Sequence, residues 1–245
     1  MQLVLRSVLA LVACAALAAA VRAQAPAPPP PPPDGPRYIV SYLEVKPTAA
    51  AEATRLVQQF RKATRREAGN LRAEALQRIA QAHQFVLLEA WKDQAAADAH
   101  SKASATAAFR DKFRTIQIAP IDERVHFALS VGPPGIKSSL GGYWLPRGTV
   151  AVVTHVDVIP PQRENGTAIT KQLAEESRKE AANLRFEAVT QVNRQNHFTV
   201  IEVWRTRAAA DAHSMAAHTL GFRDKLAPAS GALYDERIYR ILGSG

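Results

Sequence analysis

Cysteine is nearly missing from this 245-residue sequence: Cys14 is the only one. It falls in a leader-like N-terminal stretch, so the rest of the chain has no thiol at all. Thiol nucleophiles, disulfide staples and Cys-ligated metals are thereby excluded from the mature protein. Apolar runs are short as well. Val8 to Val21, rich in Ala, Leu and Val, falls below the roughly 20 residues needed to span a bilayer. Acidic residues are outnumbered, 22 against 31 basic ones, for a formal charge of +9. That balance invites a nucleic-acid reading, but the Lys and Arg are scattered along helix-like stretches rather than clustered with aromatics. They read instead as solvated faces with some affinity for anionic surfaces. What is abundant is apolar residue content, 47% of the chain, enough to bury a core.

Met1 to Ala25 reads as a secretory signal, with Arg6 in the n-region and small-residue cleavage sites ending at Ala23 or Ala25. The expected location is periplasmic or secreted. Leu11-Val12-Ala13-Cys14 also resembles a lipoprotein box, so a lipoprotein anchored through Cys14 is the alternative. Residues 26–36, PAPPPPPPDGP, form a polyproline II spacer. A Gly-, Pro- and Ser-rich break at residues 130–149 has the composition of a linker.

The segments between, residues 37–129 and 150–242, are two copies of one domain. EAGNLRAEA at Glu67 answers EAANLRFEA at Glu180, and FVLLEAWKDQAAADAHS at Phe85 answers FTVIEVWRTRAAADAHS at Phe198. FRDK recurs at Phe109 and Phe222, and DER at Asp122 and Asp235. The offset stays at 113 through all four motifs, which marks a duplication.

Each copy predicts the order βαββαβ, a ferredoxin-like α+β unit. Tyr38–Val45 and Val150–Val158 are β-rich and end before Pro47 and Pro160 at helix starts. Ala49, Ala53, Leu56, Phe60 and Ala63 predict an amphipathic helix of roughly 20 residues, with Ile169 and Leu173 at matching places in the second copy. Strands are expected over about 71–79, 84–91 and 123–129, with the AAADAHS and FRDK segments helical. Alternation puts Phe85, Leu87, Glu89 and Trp91 on one face of their strand and Val86, Leu88 and Ala90 on the other. Both faces are apolar and need cover. The expectation is two sheets packed face to face as a barrel within one chain, with the faces bearing Trp91 and Trp204 turned toward the other copy. FRDK and DER read as surface pairs of helix and strand, and Asn70 and Asn183 as turn residues.

The strings EAGNLRAEALQ…FVLLEAWKDQAAADAHS and EAANLRFEAVTQ…FTVIEVWRTRAAADAHS resemble the antibiotic biosynthesis monooxygenase family, in its quinol-monooxygenase-like branch. The resemblance implies a dimeric α/β barrel, formed here as an intrachain pseudo-dimer. It also implies oxidation of a quinol-like or polyphenolic substrate by O2 without metal or flavin, so no cofactor is expected. The protein then supplies a dry pocket, a base and charge stabilisation. Haem-degrading relatives need an iron-ligating His beside an Asn, and neither copy offers that pair. A binding module for an aromatic or apolar ligand, with catalysis lost, is the rival reading, and a homodimer of the whole chain is left open.

Glu89 and Glu202, set among apolar neighbours, are the candidate bases, since burial raises a carboxyl pKa. The competing reading is a structural Glu neutralised by Arg72, Arg110 or their counterparts. His100 and His213, ending the two Ala-rich helices, are candidate proton carriers or helix caps. Trp91, Trp204, Phe85 and Phe198 are candidate substrate-binding aromatics. Tyr42 and His155 stand at equivalent positions on the opening strands and complete the expected pocket. The remaining histidines, His83, His126, His197 and His218, do not recur at the offset and show no metal-ligand spacing.

Overall fold

The computed structural model describes residues 34–137 and 143–243. The signal segment, its Cys14 and most of the Pro-rich spacer lie outside the described residues. The first copy runs β1 (Arg37–Glu44), a 3-10 turn (Pro47–Ala49), α1 (Ala50–Thr64), β2 (Asn70–Arg78), β3 (Gln84–Trp91), α2 (Gln94–Ser101), α3 (Ser104–Arg114) and β4 (Asp122–Ser130). A two-stranded hairpin, β5 (Ile136–Lys137) and β6 (Tyr143–Trp144), occupies the linker. The second copy repeats the plan as β7 (Val150–Asp157), α4 (Arg163–Ser177), β8 (Asn183–Gln191), β9 (Arg194–Trp204), α5 (Arg207–Ser214), α6 (Ala217–Leu226) and β10 (Asp235–Leu242).

Eight strands close into one barrel in the order β1-β3-β2-β10-β7-β9-β8-β4. Within each copy the order is that of a ferredoxin-like sheet. The edges of the two sheets are joined by β2 with β10 and by β4 with β8, all antiparallel. Closure leaves the eight-stranded sheet without a free edge, which neither copy achieves alone. The long helix is shorter than the periodicity suggests, 15 residues after a Pro-led 3-10 turn. Its buried stripe is Ala53, Val57, Phe60 and Thr64, so Leu56 and Ala63 flank the core instead of leading it. Asp93 and Thr206 each cap the next helix, accepting from the backbone N–H of Ala96 at 2.8 Å and Ala209 at 3.1 Å.

The barrel interior and the space beneath the helices hold different side chains. Inside the barrel, Val40, Val86, Leu88 and Ala90 meet Ala151, Val153, Ile201 and Val203 of the other copy. Beneath the helices of the first copy lie Phe60, Phe85, Leu87, Phe109 and Phe113, and beneath those of the second Phe186, Phe198, Trp204 and Phe222. The Trp-bearing faces therefore point away from the other copy, opposite to the sequence expectation. The lumen takes aliphatic side chains together with Tyr38 and Tyr239, while each Trp lies under the helices, where the His that stacks on it is supplied by the helix above.

One polar cluster sits inside the barrel and ties the copies together. On β2 and β8, Arg72 and Glu74 alternate with helix-facing residues, as do their counterparts Arg185 and Glu187. Arg72 grips Glu187 through two bonds of 2.7 and 2.6 Å, and Arg185 grips Glu74 at 2.9 and 2.7 Å. Burial opposes ionisation of Glu74, but the Arg185 and Arg72 guanidinium groups outweigh it and hold the carboxyl at about 2. Fork-to-fork geometry of this kind offsets the desolvation of four charges. The FRDK and DER motifs meet on the surface as the sequence suggests, through Arg110–Glu123 at 2.8 Å and Arg223–Glu236 at 2.9 Å.

Candidate functional site

Beneath the helices of each copy, Glu, Trp and His converge. The i, i+2 spacing at the end of β3 puts Glu89 and Trp91 side by side, and the indole N–H of Trp91 donates to Glu89 at 3.1 Å. His100, from the last turn of α2, places Nε2 3.2 Å from the same Glu89 oxygen. Its ring stacks on Trp91 with centroids 4.6 Å apart. In the second copy Trp204 donates to Glu202 at 2.7 Å, His213 Nε2 lies 3.7 Å from Glu202, and the His213 and Trp204 rings stack at 4.5 Å. Glu89, Glu202, His100 and His213 are all 5% exposed or less.

Neither Glu is neutralised by arginine: Arg72 serves Glu187 and Arg110 serves Glu123. Each His instead has a second carboxylate, which the sequence reading missed. His100 Nδ1 lies 2.9 Å from Glu67, and His213 Nδ1 lies 2.5 Å from Glu180. Thr106 and Thr219 approach the same rings at 3.4 Å. The signal was available, since Glu67 and Glu180 open the recurring EA-x-NLR motif and both Thr recur at the offset. What hid them was their place in a turn and on a helix, away from the strand that carries Glu and Trp.

The two relays hold their proton differently. Burial pulls His100 down, but bonds to Glu89 and Glu67 outweigh it and raise its pKa. In the second copy burial wins on both partners. It lowers His213 and raises Glu202 to about 8, only partly opposed by the Trp204 hydrogen bond. The longer gap between His213 and Glu202 is consistent with that loss of mutual charge stabilisation.

Each copy has a cleft between its helices at the equivalent position. The second copy's cleft, about 200 Å³, lies between α4 and α6 and is lined by Ile169, Leu173, His218, Phe222 and Lys225 among others. His218 Nε2 lies 3.0 Å from Glu180, so hydrogen-bonded contacts lead from the cleft through His218 and Glu180 to His213, with a gap of 3.7 Å remaining to Glu202. The first copy's cleft is about 160 Å³, and Ala105 stands where His218 does. Phe60, stacked on Phe109 at 4.2 Å, fills the place of Leu173 and separates that cleft from His100. A larger cavity of about 470 Å³, between α1 and the linker hairpin, includes none of the Glu or His of either relay.

All six expected substrate contacts are placed otherwise. Trp91 and Trp204 are fully buried and present a ring face to histidine rather than to a cleft. Phe85 and Phe198 are packed among core residues. Tyr42 and His155 do not join the Glu and Trp at all. Their positions alternate to the barrel interior, where they line a small cavity of about 110 Å³ with Asp122, Arg124, Asp235 and Arg237. The residues expected to share one pocket in each copy thus lie on opposite faces of the sheet.

Two groups could supply metal ligands, against the expectation that none exists. Glu180, His213 and His218 bring their ligand atoms within 4.8 Å, as do His155, Asp157 and His197. The second trio is assembled by strand geometry: Asp157 and His197 are register partners on β7 and β9, and His155 precedes Asp157 by one alternation. Linear spacing could not show this, because the ligands come from two strands 40 residues apart in sequence.

Comparison with known proteins accounts for the architecture. The family described as "Antibiotic biosynthesis monooxygenase" matches twice, over residues 36–112 and 149–225. A Bacillus subtilis (strain 168) protein named "Putative monooxygenase YcnE" is 30% identical over 82 residues, 34% of this chain and 86% of its own length. Two solved structures bearing the same designation match both halves at once. That from Fusobacterium nucleatum covers 85% of this chain and 93% of its own with a TM-score of 0.74 at 19% identity. That from Lactobacillus acidophilus NCFM covers 84% and 94% with a TM-score of 0.67 at 15% identity. At such identity the structures speak for the fold alone, while the doubled family match covers more than half of the chain. The chain belongs to the antibiotic biosynthesis monooxygenase family, as an enzyme of the monooxygenase type whose two family domains close one barrel.

Proposed function

We propose that this protein oxidises a quinol-like or polyphenolic small molecule with O2, without metal or flavin, and that the second copy carries the chemistry. One observation supports this above the rest: Glu202 is a buried carboxyl with no arginine partner, raised to about 8, and linked to a cleft by His213, Glu180 and His218. A carboxylate of that basicity takes a proton near neutrality, which a solvated Glu does poorly. The substrate sits in the α4–α6 cleft with its ring against Leu173 and Phe222. Its hydroxyl proton passes along the relay to Glu202. The resulting phenolate is electron-rich enough to reduce O2 directly. One oxygen atom enters the ring and the other leaves as water, with all four electrons coming from the quinol. Trp204 contributes by holding Glu202 and the His213 ring in place.

The first copy lacks the entry residue, having Ala105 for His218, and its His100 is raised where His213 is lowered. Its part is to complete the barrel. The protein acts outside the cytoplasm, on the strength of its N-terminal segment. The test is O2 uptake by untagged, chelator-treated protein across a panel of hydroquinones. Uptake that Glu202→Gln lowers by roughly 10²- to 10⁴-fold, the usual worth of a general base, supports the proposal. No uptake with any quinol, or full activity in Glu202→Gln, overturns it.

A further inference from the structure

At the mouth of the barrel, away from both relays, we infer a binding site for a first-row divalent cation formed by His155, Asp157 and His197. His155 Nε2 lies 2.8 Å and His197 Nδ1 2.7 Å from the same oxygen, Asp157 Oδ1. That oxygen is buried and, despite both nitrogens, accepts no well-directed hydrogen bond. Two imidazoles crowd one carboxylate oxygen without pointing their N–H groups at it, the arrangement of ligands converging on a common point. The other trio differs, because Glu180 Oε1 is properly bonded to both of its imidazoles at 2.5 and 3.0 Å. It is satisfied as it stands.

The charges around the site balance with the imidazoles neutral: Asp122, Asp157 and Asp235 against Arg124, Arg237 and Arg194, the last acting on His197. Arg124 is largely committed to Asp122, at 2.6 to 3.1 Å, although its Nη1 also lies 3.0 Å from His155 Nε2. Two nitrogens and one carboxylate leave coordination positions open toward the cavity beside Tyr42. Such a donor set suits Zn²⁺, Co²⁺, Ni²⁺ or Fe²⁺ and is poor for Mg²⁺ or Ca²⁺, which take oxygen ligands. The site belongs to one copy only. The corresponding residues of the first copy are Tyr42, Glu44 and Gln84, where Gln84 donates to Glu44 at 2.9 Å and completes an ordinary polar cluster.

The first copy also supplies the controls, since its side chains are already accommodated at the equivalent places. Untagged protein is stripped with chelator and titrated calorimetrically with Zn²⁺ alone, then with Mg²⁺ alone. One Zn²⁺ per chain is expected, with no saturable Mg²⁺ binding. His155→Tyr and His197→Gln should each weaken Zn²⁺ binding by at least about tenfold, the scale on which losing even a supporting group at a metal site is felt. His218→Ala should leave it unchanged, and Arg124→Gln should tighten it by removing a competing cation. Circular dichroism of each stripped variant shows whether it is folded. Absence of saturable Zn²⁺ binding overturns the inference. So does binding lost in His218→Ala but retained in His197→Gln, which would put the metal in the other trio.

Discussion

Replacing Glu202 by Gln should make the protein more stable at alkaline pH, the reverse of what removing a salt bridge would do. Gln keeps the shape, can accept the Trp204 N–H, and is neutral at every pH. Native Glu202 titrates at about 8 and an unfolded Glu near 4.5. Between those values the folded state binds a proton that the unfolded state has released. Stability therefore falls as pH rises, by up to about 1.4 kcal/mol per pH unit for this one group. Across the window the wild type loses on the order of 3–5 kcal/mol that the variant retains. For a domain of this size each kcal/mol moves Tm by roughly 2–4 °C, so the gap should open by roughly 6–20 °C. Thermal unfolding of both proteins from pH 5 to pH 9, taken as a difference, cancels the other titrating groups. The two should nearly coincide at pH 5, with the variant melting higher at pH 8.5 and above. A gap that does not change with pH, or a variant that melts lower throughout, would refute the reasoning.

The corresponding change in the first copy should behave in the opposite way. His100 is raised by its carboxylates, so its contribution is complete below the unfolded histidine value and is lost as pH climbs through the folded one. Glu89→Gln should then destabilise by roughly 1–3 kcal/mol at pH 5.5, the worth of a hydrogen bond to a charged group, with the deficit shrinking in alkali; denaturant melts at the two pH values measure it. Arg72→Met leaves Glu187 inside the barrel with only Arg185, 3.6 Å away, and should cost up to about 3–5 kcal/mol, most of it recovered in Arg72→Met/Glu187→Leu. Urea unfolding of the single and double variants decides that. Localisation is checked by fractionating cells that express the full chain: the protein should appear in the periplasm or medium, shortened at its N-terminus.

Much of the barrel was legible in the sequence because the duplication keeps a constant offset and both faces of the Phe85–Trp91 strand are apolar. The fold class, the closure within one chain and the FRDK–DER pairing all follow from that. Which face turns inward did not follow, since alternation separates two faces without saying which is inside. That choice depends on what each face meets, the other copy or the overlying helix, and those partners lie far along the chain. At the site, Glu, Trp and His were found because they lie within one recurring string. Glu67 and Glu180 were missed because hydrogen bonding across a turn leaves no periodic trace. Tyr42 and His155 were assigned to the wrong side of the sheet for the same reason as the face. His197 was set aside for lack of a partner, although strand register places it beside Asp157.

The claim that Glu202 is the working base is tested most directly by the pH dependence of O2 uptake with a saturating hydroquinone, in wild type and in Glu89→Gln. Both should show activity rising with an apparent pKa near 8, as expected for a base that must be ionised, and Glu202→Gln should lose that limb together with most of the turnover. A profile in which Glu89→Gln abolishes the rise and Glu202→Gln preserves it would place the chemistry in the other copy and contradict the account.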